Sequence, residues 1–215
     1  MAEAGIRRPA DHRSRSLTVP RRIDAEERTE QIAAAALRVL ERDGLAGLSV
    51  RGVAAEAGIA AASLRRAFPT QQALRVYCLQ LVEQRAASRI LALDLSGRPL
   101  VDALLAQLLP LDADRRTELL AQVQLGVLAL TDDGLQPAAI ALSAAVDRAC
   151  ASAVDILSDA GQLGRGRDPE YEARRLRALI DGIAMHGLWR GHPQAATQML
   201  DTLGRHLDEL ADPRT

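Results

Sequence analysis

The stretch AGIAAASLRRAFPT, residues 57–70, constrains the fold more than any other part of the sequence. Gly58 interrupts an alanine-rich helical pattern, which resumes within three residues and ends at Phe68 and Pro69. Because glycine reaches left-handed backbone angles at no steric cost, a tight turn between two short helices is predicted here. Two short helices joined in this way and supported by a longer preceding helix form a helix-turn-helix unit.

The residues before this turn show helical periodicity with recognisable ends. A first helix is predicted from its N-cap Asp24 to Gly44, with apolar residues at helical spacing. Ser49 is the predicted N-cap of a second, short helix that ends at Gly58. A third helix is predicted over about residues 61–68. These three helices make up the predicted helix-turn-helix domain.

The rest of the chain is helical in pattern and shows no alternation typical of strands. A fourth helix is predicted from the cap Thr70 to about Leu91. Glycine and proline then divide the chain into further helices at about residues 98–109, 113–130, 136–160, 168–189 and 193–211. The sequence therefore predicts an all-α protein of about nine helices, with the helix-turn-helix domain followed by a C-terminal helical bundle.

All 27 basic residues are arginine, and they are unevenly distributed although the net charge is −1. Residues 1–68 hold 12 arginines against nine acids, whereas residues 69–215 hold 15 against 19. Residues 1–22 contain six of these arginines and two prolines without helical period, so they are predicted to form a disordered basic arm. The asymmetry is compatible with an N-terminal part that faces nucleic acid, and a solvated charged face explains it about as well.

Composition and motifs argue against several classes of protein. No uncharged apolar run approaches 18 residues and no apolar segment follows the N-terminal arginines, so we expect a cytoplasmic protein with no membrane partner. Glycine-rich phosphate loops, Gly-x-Ser-x-Gly and His-Glu-x-x-His are missing, so no catalytic residue, cofactor or metal site is predicted, and we do not expect an enzyme. Cys78 and Cys150 lie far apart in apolar surroundings and are predicted to be buried thiols rather than a disulfide.

The third predicted helix offers a small, basic outer face made of Ala61, Ala62, Ser63, Arg65 and Arg66. Two arginines beside a hydroxyl and small side chains suit the major groove of DNA, where arginine reaches phosphates or guanine edges. The spacing alone also fits an ordinary helical corner with a solvated charged face.

Residues 32–74, IAAAALRVLERDGLAGLSVRGVAAEAGIAAASLRRAFPTQQAL, resemble the DNA-binding domain of the TetR family of transcriptional regulators. The first helix ending at Gly44, the Ser49-Val50 start, the turn at residues 57–59 and the corner at residues 68–70 carry the resemblance in one continuous register. The resemblance implies a DNA-binding domain over residues 23–70 and an effector-binding and dimerisation domain over residues 71–215. The implied DNA contacts are Arg28, Ser49, Arg51, Ala61, Ala62, Ser63, Arg65, Arg66 and Gln71.

The sequence departs from the family's usual pattern on this contact surface. Ala60, Ala67 and Gln71 stand where serine, histidine and lysine are usual, and Arg65 stands where a phosphate-contacting tyrosine is usual. Residues 61–62 replace a basic residue and glycine with two alanines. Two alternatives therefore stay open: a helical small-molecule-binding or interaction protein whose DNA binding has decayed, and an architectural protein that binds DNA without sequence preference.

The resemblance extends more loosely to the C-terminal bundle, and it implies a homodimeric repressor that a small-molecule effector releases from a pseudo-palindromic operator. The implied dimer positions, which fit intrachain core equally well, are Leu176, Leu179, Ile180, Ile183, Leu188, Met199, Leu203 and Leu207. The implied effector pocket comprises Cys78, Val82, Leu104, Leu108, Gln122, Leu125, Leu142 and Val146. Since aromatic residues make up only 2% of the chain, we expect an aliphatic or modestly polar ligand, or no ligand of consequence, rather than a quaternary ammonium or a flat dye.

Overall fold

The computed structural model describes residues 25–190 and 193–212, and the secondary structure in these ranges is entirely helical. Its α-helices are α1 (Ala25–Gly47), α2 (Val50–Glu56), α3 (Ala61–Ala67), α4 (Gln71–Leu91), α5 (Gly97–Ala106), α6 (Ala113–Ala129), α7 (Gln136–Asp159), α8 (Pro169–Arg190) and α9 (Pro193–Ala211). The all-α prediction with about nine helices is thereby confirmed. The predicted arm and the predicted cap Asp24 lie outside the described residues.

Two glycines supply the backbone turns that the sequence predicts. At Gly58 the φ angle is 66°, and a Cβ atom there would meet no other atom within 4 Å. The glycine is therefore required by the backbone angle and not by lack of space. At Gly44 the angles are φ 68° and ψ −180°, which breaks α1 and leaves a short extension to Gly47.

The short helices begin at the predicted caps. The Ser49 hydroxyl accepts a hydrogen bond of 3.1 Å from the N–H of Gly52, and Thr70 caps α4 through the N–H of Ala73 at the same distance. Ala60 occupies the N-cap of α3 and makes no side-chain hydrogen bond to it. As a result, α3 begins on a residue unable to cap, whereas α2 begins on one that does.

The helices after α4 differ from the sequence prediction at two places. α5 ends at Ala106 rather than near residue 109, and the chain continues in turns up to Pro110. Pro110 has no N–H to donate to the carbonyl of Ala106, four residues before it, and it disfavours helical angles at Leu109, so the α-helical hydrogen bonds stop before it. A short 3-10 turn, Asp133–Leu135, also forms before α7, where the sequence predicts only a break.

The buried side chains form two hydrophobic clusters. The helices of each cluster are not all consecutive in the sequence, because α6 contributes to the first cluster and α5 to the second. The first core contains α1 to α4 together with three α6 residues, Ala121, Leu125 and Ala129. The second core contains α5, α7, α8 and α9. The core of the N-terminal helices therefore extends well past residue 70, while the exact domain limits stay a prediction.

Two buried carboxylates cross-link the bundle. Glu118 on α6 accepts two hydrogen bonds from the Arg89 guanidinium on α4, at 2.9 and 2.6 Å. Glu172 on α8 is fully buried and pairs with Arg167 at 3.0 Å and Arg175 at 2.7 Å. Because a buried charge is tolerated only when it is paired and hydrogen-bonded, these contacts fix the neighbouring helices. None of the described helices is long and apolar enough to cross a membrane.

Candidate nucleic-acid interface and cavity

The angle between α2 and α3 is filled by apolar side chains on both sides of Gly58. Leu64 of α3 is buried with Val53 and Ala54 of α2, and Ile59 from the turn is half-buried against the same core. This packing fixes the inner face of α3, so that the opposite face of the helix is turned outward.

The outward face of α3 carries the predicted basic residues. Ala62, Arg65 and Arg66 are exposed, whereas Ala61 and Ser63 are half-buried. Neither arginine forms an ion pair with any residue that the structure describes. Both guanidinium groups are therefore available to phosphates or base edges.

Arg28 on α1 and Arg51 on α2 are also exposed and have no ion pair within the described part of the chain. By contrast, Arg38 and Arg42 on α1 bind the carboxylate of Glu56 at 2.7 and 3.0 Å. Hydrogen bonds from Arg38 and then Arg42 lower the pKa of Glu56 below its usual value. Arg38 and Arg42 thus hold α2 against α1. The exposed arginines described above keep a positive charge that no acidic side chain of the described residues neutralises.

Two of the predicted contact residues already have structural partners. The Ser49 hydroxyl caps α2, as described above, and the Gln71 amide donates a hydrogen bond of 2.9 Å to the carbonyl of Leu48. Gln71 therefore attaches the start of α4 to the connection between α1 and α2. A DNA contact by these residues has to use the hydroxyl hydrogen of Ser49 or the amide oxygen of Gln71, since the other polar atoms form the hydrogen bonds just described.

A cavity of about 340 Å³ lies where the two hydrophobic cores meet. Leu125 from the first core and Ile180 from the second both line it. Of the eight residues predicted for the effector pocket, five line this cavity: Leu108, Gln122, Leu125, Leu142 and Val146. The structure therefore brings together most of the predicted set at the junction of the cores.

The other three predicted pocket residues lie elsewhere. Cys78 and Val82 are buried on the face of α4 that packs into the first core, and Leu104 packs against the second core. Helical periodicity shows that these side chains are apolar and inward-facing, but a core and a cavity wall have the same pattern.

One wall of the cavity is polar, and the sequence analysis did not identify it. Arg177 donates hydrogen bonds to Asp181 at 2.8 Å, to Asp147 at 2.7 Å and to the Ser143 carbonyl at 2.9 Å. Arg177, Asp181 and Ser143 line the cavity, together with the amide side chain of Gln122. The spacing of Arg177 and Asp181, four residues apart on one helix, was the available signal. No aromatic side chain lines the cavity among the described residues.

The predicted dimer positions are mostly buried inside the single chain. Five of them belong to the second core and have little exposed surface: Leu176, Ile180, Met199, Leu203 and Leu207. Leu188 is also buried, although it is not part of that core. Leu179 and Ile183 are half-buried. The exposed large hydrophobic side chains described on α8 and α9 are instead Tyr171, Trp189 and Leu200, with exposures of 39%, 72% and 45%.

The two cysteines are free and buried, as predicted. Burial raises the pKa of the Cys78 thiol to about 12 and that of Cys150 to about 11, so both stay protonated at neutral pH. Among the described residues, no group of three or more histidine, cysteine, aspartate or glutamate side chains is placed to hold a metal ion.

Comparison with known families identifies both parts of the chain. Residues 32–78 match the family described as bacterial regulatory proteins, tetR family, and residues 97–212 match the BetI-type transcriptional repressor, C-terminal. The second match alone covers more than half of the 215 residues. The chain belongs to the TetR family. It is therefore a DNA-binding transcriptional regulator with a ligand-binding C-terminal region, and the resemblance of residues 32–74 is confirmed.

Individual relatives agree with this assignment to the TetR family. The HTH-type transcriptional regulator PksA of Bacillus subtilis is 29% identical over 173 residues, which cover 79% of this chain and 83% of PksA. A TetR transcription regulator from Haloarcula marismortui superposes with a TM-score of 0.74 at 20% identity, covering 86% of this chain and 98% of that one. A transcriptional regulator from Saccharomonospora viridis, solved in complex with choline, gives 0.71 at 20% identity, covering 85% and 96%. The two solved structures share the fold.

Proposed function

We propose that this TetR-family chain is a cytoplasmic, homodimeric repressor without catalytic activity, which a small-molecule effector releases from a pseudo-palindromic operator. The observation that carries the DNA part is the outward face of α3, where Arg65 and Arg66 have no acidic partner in the described chain. In a dimer, two such helices bind half-sites at a fixed spacing, which gives specificity that one short helix lacks.

Arg65 and Arg66 are assigned the phosphate contacts that other family members make with tyrosine and lysine. Arg28 and Arg51 supply further phosphate contacts, because they are exposed and unpaired within the described residues. The exposed methyl group of Ala62 offers an apolar contact, such as one with a thymine methyl group. Readout in this arrangement depends on arginine, with few other hydrogen-bonding side chains on α3.

The DNA-binding proposal is tested by fluorescence anisotropy with pseudo-palindromes from the DNA upstream of the chain's own coding sequence and with scrambled duplexes, at two salt concentrations. We expect a preference of about a thousandfold for a cognate site. Equal affinity with a steep salt dependence would indicate an architectural DNA binder. An absence of binding at both salt concentrations would indicate a protein whose DNA function has decayed.

Substitution of one arginine then tests the proposed contact surface. Arg65→Ala is expected to weaken operator binding by about 1–3 kcal/mol, because it removes a charged contact or a base contact. Arg148→Ala is the matched control, since Arg148 is an exposed arginine on α7, which belongs neither to the helix-turn-helix nor to the proposed dimer face. Equal affinities for the two variants would contradict the assignment of Arg65.

The cavity at the junction of the cores is the proposed effector site. Its volume of about 340 Å³ is at the small end of the range for ligand pockets. Its apolar walls and the polar group around Arg177 favour an aliphatic ligand with one hydrogen-bonding end. A ligand that binds one dimer geometry more tightly than the other shifts the population between DNA-binding and free states.

The proposed dimer interface uses the outer faces of α8 and α9. Trp189 and Leu200 supply exposed apolar surface there, and Leu179 and Ile183 lie half-buried beside the second core. The six buried positions described above face the interior of the chain, where they hold α8 and α9 in place so that the opposite faces of these helices are turned outward.

A further inference from the structure

One turn of α6 touches both the cavity and the helices that bind DNA. The residues on either side of Gln124, from Gln122 to Gly126, line the cavity. Gln124 itself faces α1, where its Oε1 atom accepts a hydrogen bond of 2.5 Å from the backbone N–H of Leu45. A change in the position of this turn therefore alters both the cavity wall and the contact with α1.

The contact depends on the break in α1. A Cβ atom at Gly44 would lie 2.8 Å from both the amide nitrogen and the amide oxygen of Gln124. Only glycine at this position allows Gln124 to approach the backbone so closely, and the φ angle of 68° favours the same residue. Gly44 and Gln124 therefore form a matched pair across the two helices.

The segment that Gln124 holds is also the entry to the helix-turn-helix. Leu45 and Leu48 are fully buried in the first core. Their carbonyl oxygens accept hydrogen bonds from Arg75 at 3.2 Å and from Gln71 at 2.9 Å. Since the next residue is Ser49, the cap of α2, the position of this segment sets where α2 begins and thereby where α3 lies.

We propose that Gln124 is a positioning residue that transmits filling of the cavity to the helix-turn-helix. The inference rests on the proposed effector site, and it names the contact through which that site acts. Hydrogen bonds between N–H groups and oxygen are rare beyond about 3.2 Å, so a displacement of α6 by about 1 Å is sufficient to break the contact with Leu45.

A second polar link joins the same halves of the molecule, and the experiment has to separate it from the first. The Gln72 amide on α4 donates a hydrogen bond of 2.5 Å to Asp132, which lies in the connection between α6 and α7. The same carboxylate oxygen accepts the N–H of Gly134 at 3.1 Å. None of these three residues lines the cavity.

The test fills the cavity covalently, so that neither the effector nor the operator needs to be known. Ser143 lines the cavity and is exposed, whereas both native cysteines are buried. Ser143→Cys is therefore the accessible thiol in the described part of the chain. We would label the full-length variant with hexyl methanethiosulfonate, or with methyl methanethiosulfonate as the matched control, and measure amide hydrogen exchange residue by residue.

We expect the hexyl group to accelerate exchange of the Leu45 amide about tenfold relative to the methyl group. In a Gln124→Met background, exchange at Leu45 should be fast with either label, and the hexyl group should add nothing. Gln124→Glu keeps an acceptor oxygen and should restore the difference between the labels. Gln80→Met, the same substitution at an exposed glutamine on α4 that does not line the cavity, should leave the difference intact.

Two results would overturn the proposal. One is unchanged exchange of the Leu45 amide when Gln124 is intact and the hexyl group is attached. This result counts against the proposal even if exchange changes at Gly134, whose N–H reports on the link between Gln72 and Asp132. The other is a hexyl effect at Leu45 that persists in Gln124→Met, which would point to another polar link, either the one between Gln72 and Asp132 or the ion pair between Arg89 and Glu118. The first result needs no substitution at Gln124, so it applies even when Gln124→Met fails to fold. Because no DNA is present, failure here is distinct from failure of the operator-binding test.

Discussion

Two glutamates in the first turn of α8 show how burial separates side chains of the same type. Glu170 is exposed and pairs with Arg174, one turn away on the same helix, at 2.6 Å. Glu172 is fully buried between Arg167 and Arg175. Arg167 also donates a hydrogen bond of 3.0 Å to the carbonyl of Asp212, so the Glu172 cluster ties the start of α8 to the end of α9.

Glu172→Gln is expected to lower the free energy of unfolding by about 3–5 kcal/mol, because it leaves two guanidinium groups without their buried counter-charge. Glu170→Gln is the matched control and should change it by less than about 0.5 kcal/mol, as is usual for an exposed ion pair. Urea unfolding followed by circular dichroism measures both values. Similar effects of the two substitutions would contradict this account of the cluster.

His206 on α9 predicts a dependence of stability on pH. Its Nε2 atom is buried and has no hydrogen-bond partner among the described residues. Burial, followed by repulsion from Arg175 and Arg167, lowers the pKa of His206 below 6.5, although Glu209 and Glu172 act in the opposite direction. Below pH 6.5 the unfolded chain therefore binds a proton that the folded chain does not, so acid favours unfolding.

The free energy of unfolding should thus fall as the pH decreases through this range, in addition to the general effect of acid. His206→Gln removes the titrating group and should make the decrease less steep between pH 7 and pH 5. Parallel urea titrations of the two proteins across this range provide the measurement. Identical pH profiles would show that His206 makes no contribution.

At the scale of the element, the N-cap residue of α3 limits the stability of that helix. Ala60 has extended backbone angles suitable for an N-cap, φ −66° and ψ 129°, but no side-chain acceptor. The neighbouring helix α2 begins on Ser49, whose hydroxyl accepts a backbone hydrogen bond at 3.1 Å. The two short helices of the DNA-binding unit therefore differ by one cap.

Exchanging these caps should change stability in opposite directions. Ala60→Ser is expected to raise the free energy of unfolding by about 0.5–2 kcal/mol, and Ser49→Ala should lower it by a similar amount. Thermal or urea unfolding of the two variants checks both signs. If Ala60→Ser were neutral, the start of α3 would be held by its packing alone.

At the scale of the whole molecule, exposed apolar side chains indicate which surfaces meet a partner. Leu200 on α9 is 45% exposed and lies on the proposed dimer face, while Ile140 on α7 is 67% exposed and lies on a different helix. An exposed apolar residue in an interface core loses its contacts when it is replaced by a charge, whereas one in solvent does not.

Leu200→Glu should therefore convert a dimer into a monomer in sedimentation velocity. Ile140→Glu is the matched control, since it places the same charge on a more exposed apolar position, and it should leave the dimer intact. Dissociation by Ile140→Glu alone would place the interface on α7 instead of α8 and α9.

The local rules of the sequence predicted most of the helical boundaries and part of the cavity. Gly58 and Ser49 act through their own backbone angles and a neighbouring N–H group, so their effect is readable without knowledge of the fold. Leu142 and Val146 were placed in the pocket by family resemblance and do line the cavity. Cys78 was placed there as well, although it lies in the first core, because helical period does not show which neighbour covers a buried face.

The sequence by itself determined the all-α class, the helix-turn-helix turn and the basic outer face of α3, because each of these depends on residues close together in the chain. Only the tertiary structure decided that α6 packs with the DNA-binding helices, that Arg177 forms the polar wall and that Gln124 reaches Leu45. These contacts join residues far apart in sequence, up to 79 positions for Gln124 and Leu45. Such distances become contacts only when whole helices pack, and periodicity within one helix carries no information about that choice.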